Sequence, residues 1–330
     1  MAILYVIAGI AGIILLFLML KVIQLAAGNR RAEAERQAMA DVTIDDLGSV
    51  SSLSVLPLVD YYTDREDLKT EAGVSYLVKA DDTSILLDVG FNAKKEHPSP
   101  LISNMEKLSV FPDSLDMIFI SHLHLDHLGG MEEQRSKKFS LSKGPVSLGE
   151  IPVYAPLEVS PSENNPGPKV TVTREPKVLG PGIATMGVIP RNLFLMGPTY
   201  EQSLAVNLKG KGLVLIIGCG HQTVQRIIER AKEIFNLPIY AVIGGLHLPV
   251  SDGRVKIGPL NLQNIVGSDR VPWKGINQKD ITEAIEAIEK EKPALVSLSP
   301  HDSSDLALDQ FKAAFGEKYR DLKVGDQITL

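Results

Sequence analysis

The sequence predicts an α/β domain of two β-sheets with helices on their outer faces, carried on one N-terminal membrane-spanning helix. Three observations lead there. From Ala2 to Leu20 the chain reads AILYVIAGIAGIILLFLML, without a single charge. Beyond about residue 45, hairpin-like pairs of apolar segments give way to strand, helix, strand, helix, strand, the order of a layered α/β domain. Six of the seven histidines follow closely on apolar, strand-like runs.

A helix of ~20 apolar residues spans the hydrocarbon core of a bilayer, so residues 1–22 are expected to form a transmembrane anchor. A cleaved signal peptide is the alternative. It requires positive charge ahead of the apolar run, whereas Lys21, Arg30, Arg31 and Arg36 all follow it. The same asymmetry predicts a single-pass membrane protein with the C-terminal side in the cytoplasm. Residues 23–49, including NRRAEAERQAMAD, are charged and helix-prone and are expected to form a solvated stalk. Residues 50–330 form the domain.

Within it, GVSYLVKADDTSILLDVG alternates as a hairpin around the polar turn at residues 80–83. PLISNMEKLSV has helical character, and DMIFIS is a short buried strand. IPVYAP is another strand, and QSLAVNLKGKGLVLIIGCG is a second hairpin turning at residues 209–212. TVQRIIERAKEIF is helical and PIYAVIGG is a strand. NQKDITEAIEAIEKEK is an amphipathic helix with Ile281, Ala284, Ile285 and Ile288 on one face. ALVSLSP and DQITL are the last strands. Residues 131–150 are polar and are expected to be a surface loop. Residues 249–277, which contain Trp273, exceed an ordinary connection and suggest a lid or pocket wall.

Composition excludes some classes of function. Of 330 residues, 44% are hydrophobic, enough for a large core, and the formal charge is −6 with no long basic run. Nucleic-acid binding needs a dense basic face, so no such partner is expected. Cys219 is the only cysteine, so no intrachain disulfide forms.

The chemistry concentrates in ISHLHLDHLGG, residues 120–130. In extended chain, residues two apart face the same way, so His122 and His124 can converge on one ion while Asp126 and His127 turn to a second. Imidazole with carboxylate suits Zn²⁺, Fe or Mn²⁺. His221 in GCGH, His247 in GGLHL and His301 in PHDSS each lie just beyond an apolar strand. Loops at that end of the strands build sites in α/β folds. His97 stands apart and is expected at the surface.

With these residues in place, the chain resembles the metallo-β-lactamase superfamily over roughly residues 50–330. The resemblance implies a four-layer αββα sandwich with two divalent transition metals, zinc first among them, at the edge between its sheets. It implies that His122 and His124 bind one metal, that Asp126 and His127 bind the other, and that His301 is the last ligand. It makes Asp88, in LLDVG, a buried aspartate behind the metals. Two positions depart from the family pattern. GPTYEQSL offers Glu201 where a histidine is usual, and IIGCGH offers Cys219 and His221 where a bridging aspartate is usual. These departures resemble the subgroup of dihydropterin-ribofuranosylaminobenzene-phosphate synthase-like proteins. The metal set expected is therefore His122, His124, Asp126, His127, His221 and His301, with Glu201 and Cys219 as further candidates and His221 favoured over Cys219.

The expected function is a membrane-anchored metal-dependent hydrolase. It would use metal-bound hydroxide on a small-molecule ester, lactone, amide or phosphoester, with Asp126 and His247 as catalytic residues. The alternatives are a di-iron redox or oxygenase protein of the same fold and an inactive membrane-tethered binding protein.

Overall fold

The computed structural model describes residues 1–39 and 42–330, with Ile257 described by its backbone only. Two sheets lie face to face. The first has seven strands in the order Ile328–Thr329, Leu53–Val59, Ser75–Ala80, Thr83–Leu87, Met117–Phe119, Pro152–Ala155 and Lys169–Val172. The second has six, in the order Leu295–Leu298, Ile239–Gly244, Gly212–Ile217, Gly197–Leu208, Ile183–Leu193 and Lys177–Gly180.

Side chains alternate across a strand with period two, and that alternation builds the layers. Tyr76, Val78, Ile85, Leu87 and Phe119 of the first sheet meet Leu204, Val206, Val214, Ile216, Ala241 and Ile243 of the second, forming the inter-sheet core. Their neighbours Leu77, Leu86 and Ile118 face the other way, onto Leu101 and Met105 of the helix Pro100–Lys107. Leu213, Leu215 and Ile217 likewise face outward, onto the helices Val224–Ile234, Gln278–Lys290 and Asp305–Phe315. Three apolar seams thus separate four layers, αββα, as expected.

The two predicted hairpins form around the predicted turns, pairing Ala80 with Thr83 and Leu208 with Gly212. Residues 131–150 differ from the expected surface loop. They contain a helical turn, Met131–Ser136, and the short strand Lys138–Phe139, and they bury Phe139, Leu141 and Leu148. Their polar composition hides a hydrogen-bonded interior: Asn165 accepts from the Leu141 amide, and Ser140 and Ser162 bond to each other.

The segments expected to be anchor and stalk fall in one continuous helix, Ala2–Gln37. Its apolar first part has a mean hydropathy of 2.9, has no buried residue, and is long and apolar enough to cross a membrane. The charged part docks on the domain, so it is only partly solvated. Tyr200 donates to Glu35, and Arg36 pairs with Glu33 and Glu229. Ala40 and Asp41, which end the charged segment, lie outside the described residues.

Candidate metal centre

The histidine motif leaves strand Met117–Phe119 and ends in the short helix Leu125–Leu128. The strands Gly212–Ile217, Ile239–Gly244 and Leu295–Leu298 run parallel, so their C-terminal ends deliver Cys219, His221, His247 and His301 to the same edge. Six imidazoles result in one chain of contacts. Ring centroids lie 4.1 Å apart for His122 and His127, and 5.1 Å for His122 and His221. They lie 5.5 Å apart for His127 and His301, and 4.2 Å for His221 and His247. His124 Nδ1 sits 3.1 Å from His221 Nε2. His97 stands outside, exposed as expected.

Four ring nitrogens in this cluster are buried without a hydrogen-bond partner among the described residues: His122 Nε2, His127 Nε2, His221 Nδ1 and His301 Nε2. Such groups are costly unless something occupies them. His122, Cys219 and His221 bring ligand atoms within 4.8 Å of one another, as do His127, Cys219 and His301, and also Cys219, His247 and Asp302. The Cys219 sulfur is common to all three groups. Imidazole, thiolate and carboxylate at this spacing suit transition-metal ions, so the residues present fit the metals that the motif implies.

Two aspartate–serine–histidine relays orient the rings. Ser121 Oγ donates to Asp88 Oδ2 at 2.6 Å and lies 3.0 Å from His122 Nδ1. A hydroxyl has one proton, so the serine accepts from Nδ1–H and leaves the His122 Nε2 lone pair facing the cluster. Ser299 Oγ repeats this, donating to Asp60 at 2.6 Å and lying 2.6 Å from His301 Nδ1. Asp88 also takes His127 Nδ1 directly at 2.6 Å. Hydrogen-bonded partners of this kind fix the tautomer of a metal-binding histidine.

Glu201 is fully buried, and both of its oxygens are occupied. One accepts from the Cys219 and Gly220 amides at 3.0 and 2.7 Å, the other from the His221 amide at 2.8 Å. Its carboxylate therefore clamps the GCGH turn. The glycines serve the same turn: a side chain on Gly218 would strike Ser121 Oγ at 2.2 Å, and Gly220 sits at φ +73°. Arg191 donates to the His221 carbonyl and pairs with Asp269 at 2.8 Å. Asp126 lies at the more open side, its carboxylate 3.6 Å from His127 Nε2.

Burial dominates the electrostatics. It holds His122, His221 and His301 well below the usual histidine range, helped by neighbouring imidazoles. It takes His124 to about 3 and His247 to about 4. Burial also pulls His127 down, but the Asp88 and Asp126 carboxylates outweigh it and carry that ring to about 9. Burial pushes the Cys219 thiol up, reinforced by Asp302 and Glu201.

Sequence reasoning missed Asp60, Ser121, Ser299 and Asp302. Asp302 had a signal, standing beside His301 in PHDSS. It accepts the His247 amide at 2.8 Å. The insert 249–277 covers this corner through Gln263, which donates to the His301 carbonyl at 3.0 Å and whose own carbonyl lies 3.3 Å from His247 Nε2.

The fold is the αββα sandwich of metallo-β-lactamase proteins, and the model of the metallo-β-lactamase superfamily matches residues 68–177, which include the histidine motif. The chain is similar to 7,8-dihydropterin-6-methyl-4-(β-D-ribofuranosyl)-aminobenzene-5′-phosphate synthase of Methanocaldococcus jannaschii. They share 25% identity over 260 residues, 68% of this chain and 88% of that protein. Two solved structures share the fold. One is a metal-dependent hydrolase of the β-lactamase superfamily, at 22% identity and a TM-score of 0.56 over 84% of this chain and 99% of that one. The other is a metallo-β-lactamase fold protein from Bacillus subtilis, at 14% identity and a TM-score of 0.50 over 85% of this chain and all of that one.

Proposed function

We propose that this protein is a membrane-anchored metal-dependent hydrolase with a dinuclear centre, acting on a small-molecule ester, lactone, amide or phosphoester. The observation that carries the reading is the set of four buried, partnerless imidazole nitrogens converging around one cysteine sulfur. His122, His124 and His221 would hold one ion, and Asp126, His127 and His301 the other, with Cys219 shared between them. Bound metals, zinc first among the candidates, supply Lewis acidity and lower the pKa of bound water.

The chain's own residues do the rest. Asp88 and Asp60 keep the ring lone pairs of His127, His122 and His301 directed inward through the relays. Glu201 holds Cys219 and His221 in place through their amides. His247, at φ +49°, has Nδ1 3.4 Å from the Cys219 sulfur and Nε2 3.3 Å from the Gln263 carbonyl. A ring held at about 4 is neutral at pH 7, so it would act as a hydrogen-bonding group at the site and leaving-group protonation would fall to water. His247 also borders a cavity of about 460 Å³ against the helices Val224–Ile234 and Gln278–Lys290, lined by Arg191, Arg226 and Arg270; the other five histidines of the cluster lie outside that lining.

The test is a panel of lactones, phosphodiesters and thioesters assayed with metal-loaded and chelator-treated protein. Turnover that depends on metal and falls with His247→Ala supports the reading. A second reading, a synthase activity such as the archaeal relative is named for, rests on that 25% identity. It is favoured if no panel substrate is hydrolysed while a pterin or aminobenzene acceptor is consumed.

A further inference from the structure

The N-terminal helix meets the domain along strand Ile183–Leu193, and the two run antiparallel. Ile189 lies near Arg36 and Gln37. Pro190 and Arg191 lie near Asn29, Ala32 and Glu33. Asn192 Nδ2 bonds the Leu25 carbonyl at 3.4 Å and Asn29 Oδ1 at 3.3 Å. Each step along the strand therefore leads back along the helix toward its apolar part.

The hairpin tip beyond this strand is Phe194-Leu195-Met196. A strand advances ~3.3 Å per residue and a helix ~1.5 Å, so three residues past Asn192 correspond to roughly six or seven helix residues. That places Leu195 level with roughly residues 20–22, the end of the uncharged run. The helix bears the imprint of a neighbour there. Leu18, Lys21, Val22 and Leu25, spaced i, i+3, i+4 and i+7, are more covered than the residues between them.

The chemistry of the tip is wrong for water. Leu195 sits at φ +66°, where a hairpin normally uses glycine or asparagine. A residue with a Cβ is disfavoured in that conformation by ~1–2 kcal/mol. Leu195 is nevertheless 50% exposed, and Met196 beside it 37%.

We propose that the Leu195–Met196 tip is a second membrane contact, inserted into the bilayer beside the anchor. The domain is then held on the lipid surface in one orientation instead of swinging on a tether. The proposal rests on the reading of the N-terminal helix as a membrane anchor. It ties the metal centre to the same contact, because Arg191 on this strand holds the His221 carbonyl.

Trp273 is the only tryptophan, so a Trp273→Phe background allows single-tryptophan probes. The full chain is reconstituted into phosphatidylcholine vesicles with brominated acyl chains, which quench tryptophan on contact. Phe17→Trp reports the anchor, Leu195→Trp and Met196→Trp report the tip, and Phe111→Trp reports an exposed position on the outer layer of the first sheet. The proposal expects several-fold quenching at 17 and at the tip, and little at 111. Quenching at 17 with tip probes behaving like 111 would overturn it while leaving the anchor in place. No quenching at 17 would remove the anchor reading and the proposal with it.

Discussion

Replacing Glu201 by glutamine separates a residue that shapes the metal centre from one that binds metal. The carboxylate receives three amide hydrogen bonds, from Cys219, Gly220 and His221, in a fully buried position. Glutamine retains one acceptor oxygen, enough for two of them, and sets its NH₂ against the third N–H. One bond to a charged acceptor is lost, worth ~1.5–3 kcal/mol, and a buried donor is left unsatisfied. Together these predict a loss of about 2–4 kcal/mol, or roughly 3–7 °C in melting temperature for a domain of this size. Burial raises the Glu201 pKa to about 7, opposed by the three amides, so the measurement belongs at pH 8, where the carboxylate form dominates. The assay is thermal unfolding of wild type and Glu201→Gln, both in chelator. If Glu201 clamps the turn, the deficit appears without any metal. If the two metal-free proteins melt together and differ only when loaded, Glu201 is a ligand and the reasoning is refuted.

Other expectations follow from the same geometry. Cys219→Ser should hold at most one ion, because the sulfur is common to all three ligand groups, and His221→Ala should lose the ion on the His122 side; a serine variant with two tightly held ions would make the cysteine a packing residue. In metal-free protein the buried His247 and His124 and the buried carboxyls Glu201 and Asp60, raised to about 7 and about 6, pull stability in opposite directions as pH falls from 7 to 5, so the His247 share is read as the difference between wild type and His247→Ala. Burial lowers His247 to about 4 and His124 to about 3, so these rings bind fewer protons folded than unfolded, and their share of the stability falls below pH 6.5 by about 2 kcal/mol at pH 5 for His247 alone. His127, raised to about 9, contributes stability that is present below 6.5 and lost as pH rises through 9; urea midpoints of wild type and His247→Ala that keep a constant gap from pH 7 to 5 would contradict the His247 share. A C-terminal reporter should be active as a cytoplasmic fusion, since Lys21, Arg30, Arg31 and Arg36 follow the apolar run; activity only as an exported fusion reverses the topology.

What was legible in the sequence was local. The spacing His122-x-His124-x-Asp126-His127 announces a site in six residues, and strand-end positions of His221, His247 and His301 need only an apolar run before them. The apolar alternation of 75–87 and 204–217 carried the two sheets. What failed was polar or broken. Strand Ile183–Leu193 is interrupted by Gly187 and Pro190 and shows no clean period, although every residue in it is buried. Residues 131–150 are polar because their serines and Lys143 bond inward. Asp60 and Ser299 lie 239 positions apart and acquire meaning only when the first and second sheets bring them together. Glu201 could be noticed as a departure, but its role depends on three backbone amides that no side-chain pattern encodes.

The central claim is that the six-histidine cluster with Cys219 is a dinuclear metal centre. Elemental analysis of full-length protein purified without chelator tests it most directly. Close to two transition-metal ions per chain are expected, falling to none on chelation and returning on addition of Zn²⁺. A folded protein that holds no metal as purified and takes up none would contradict it.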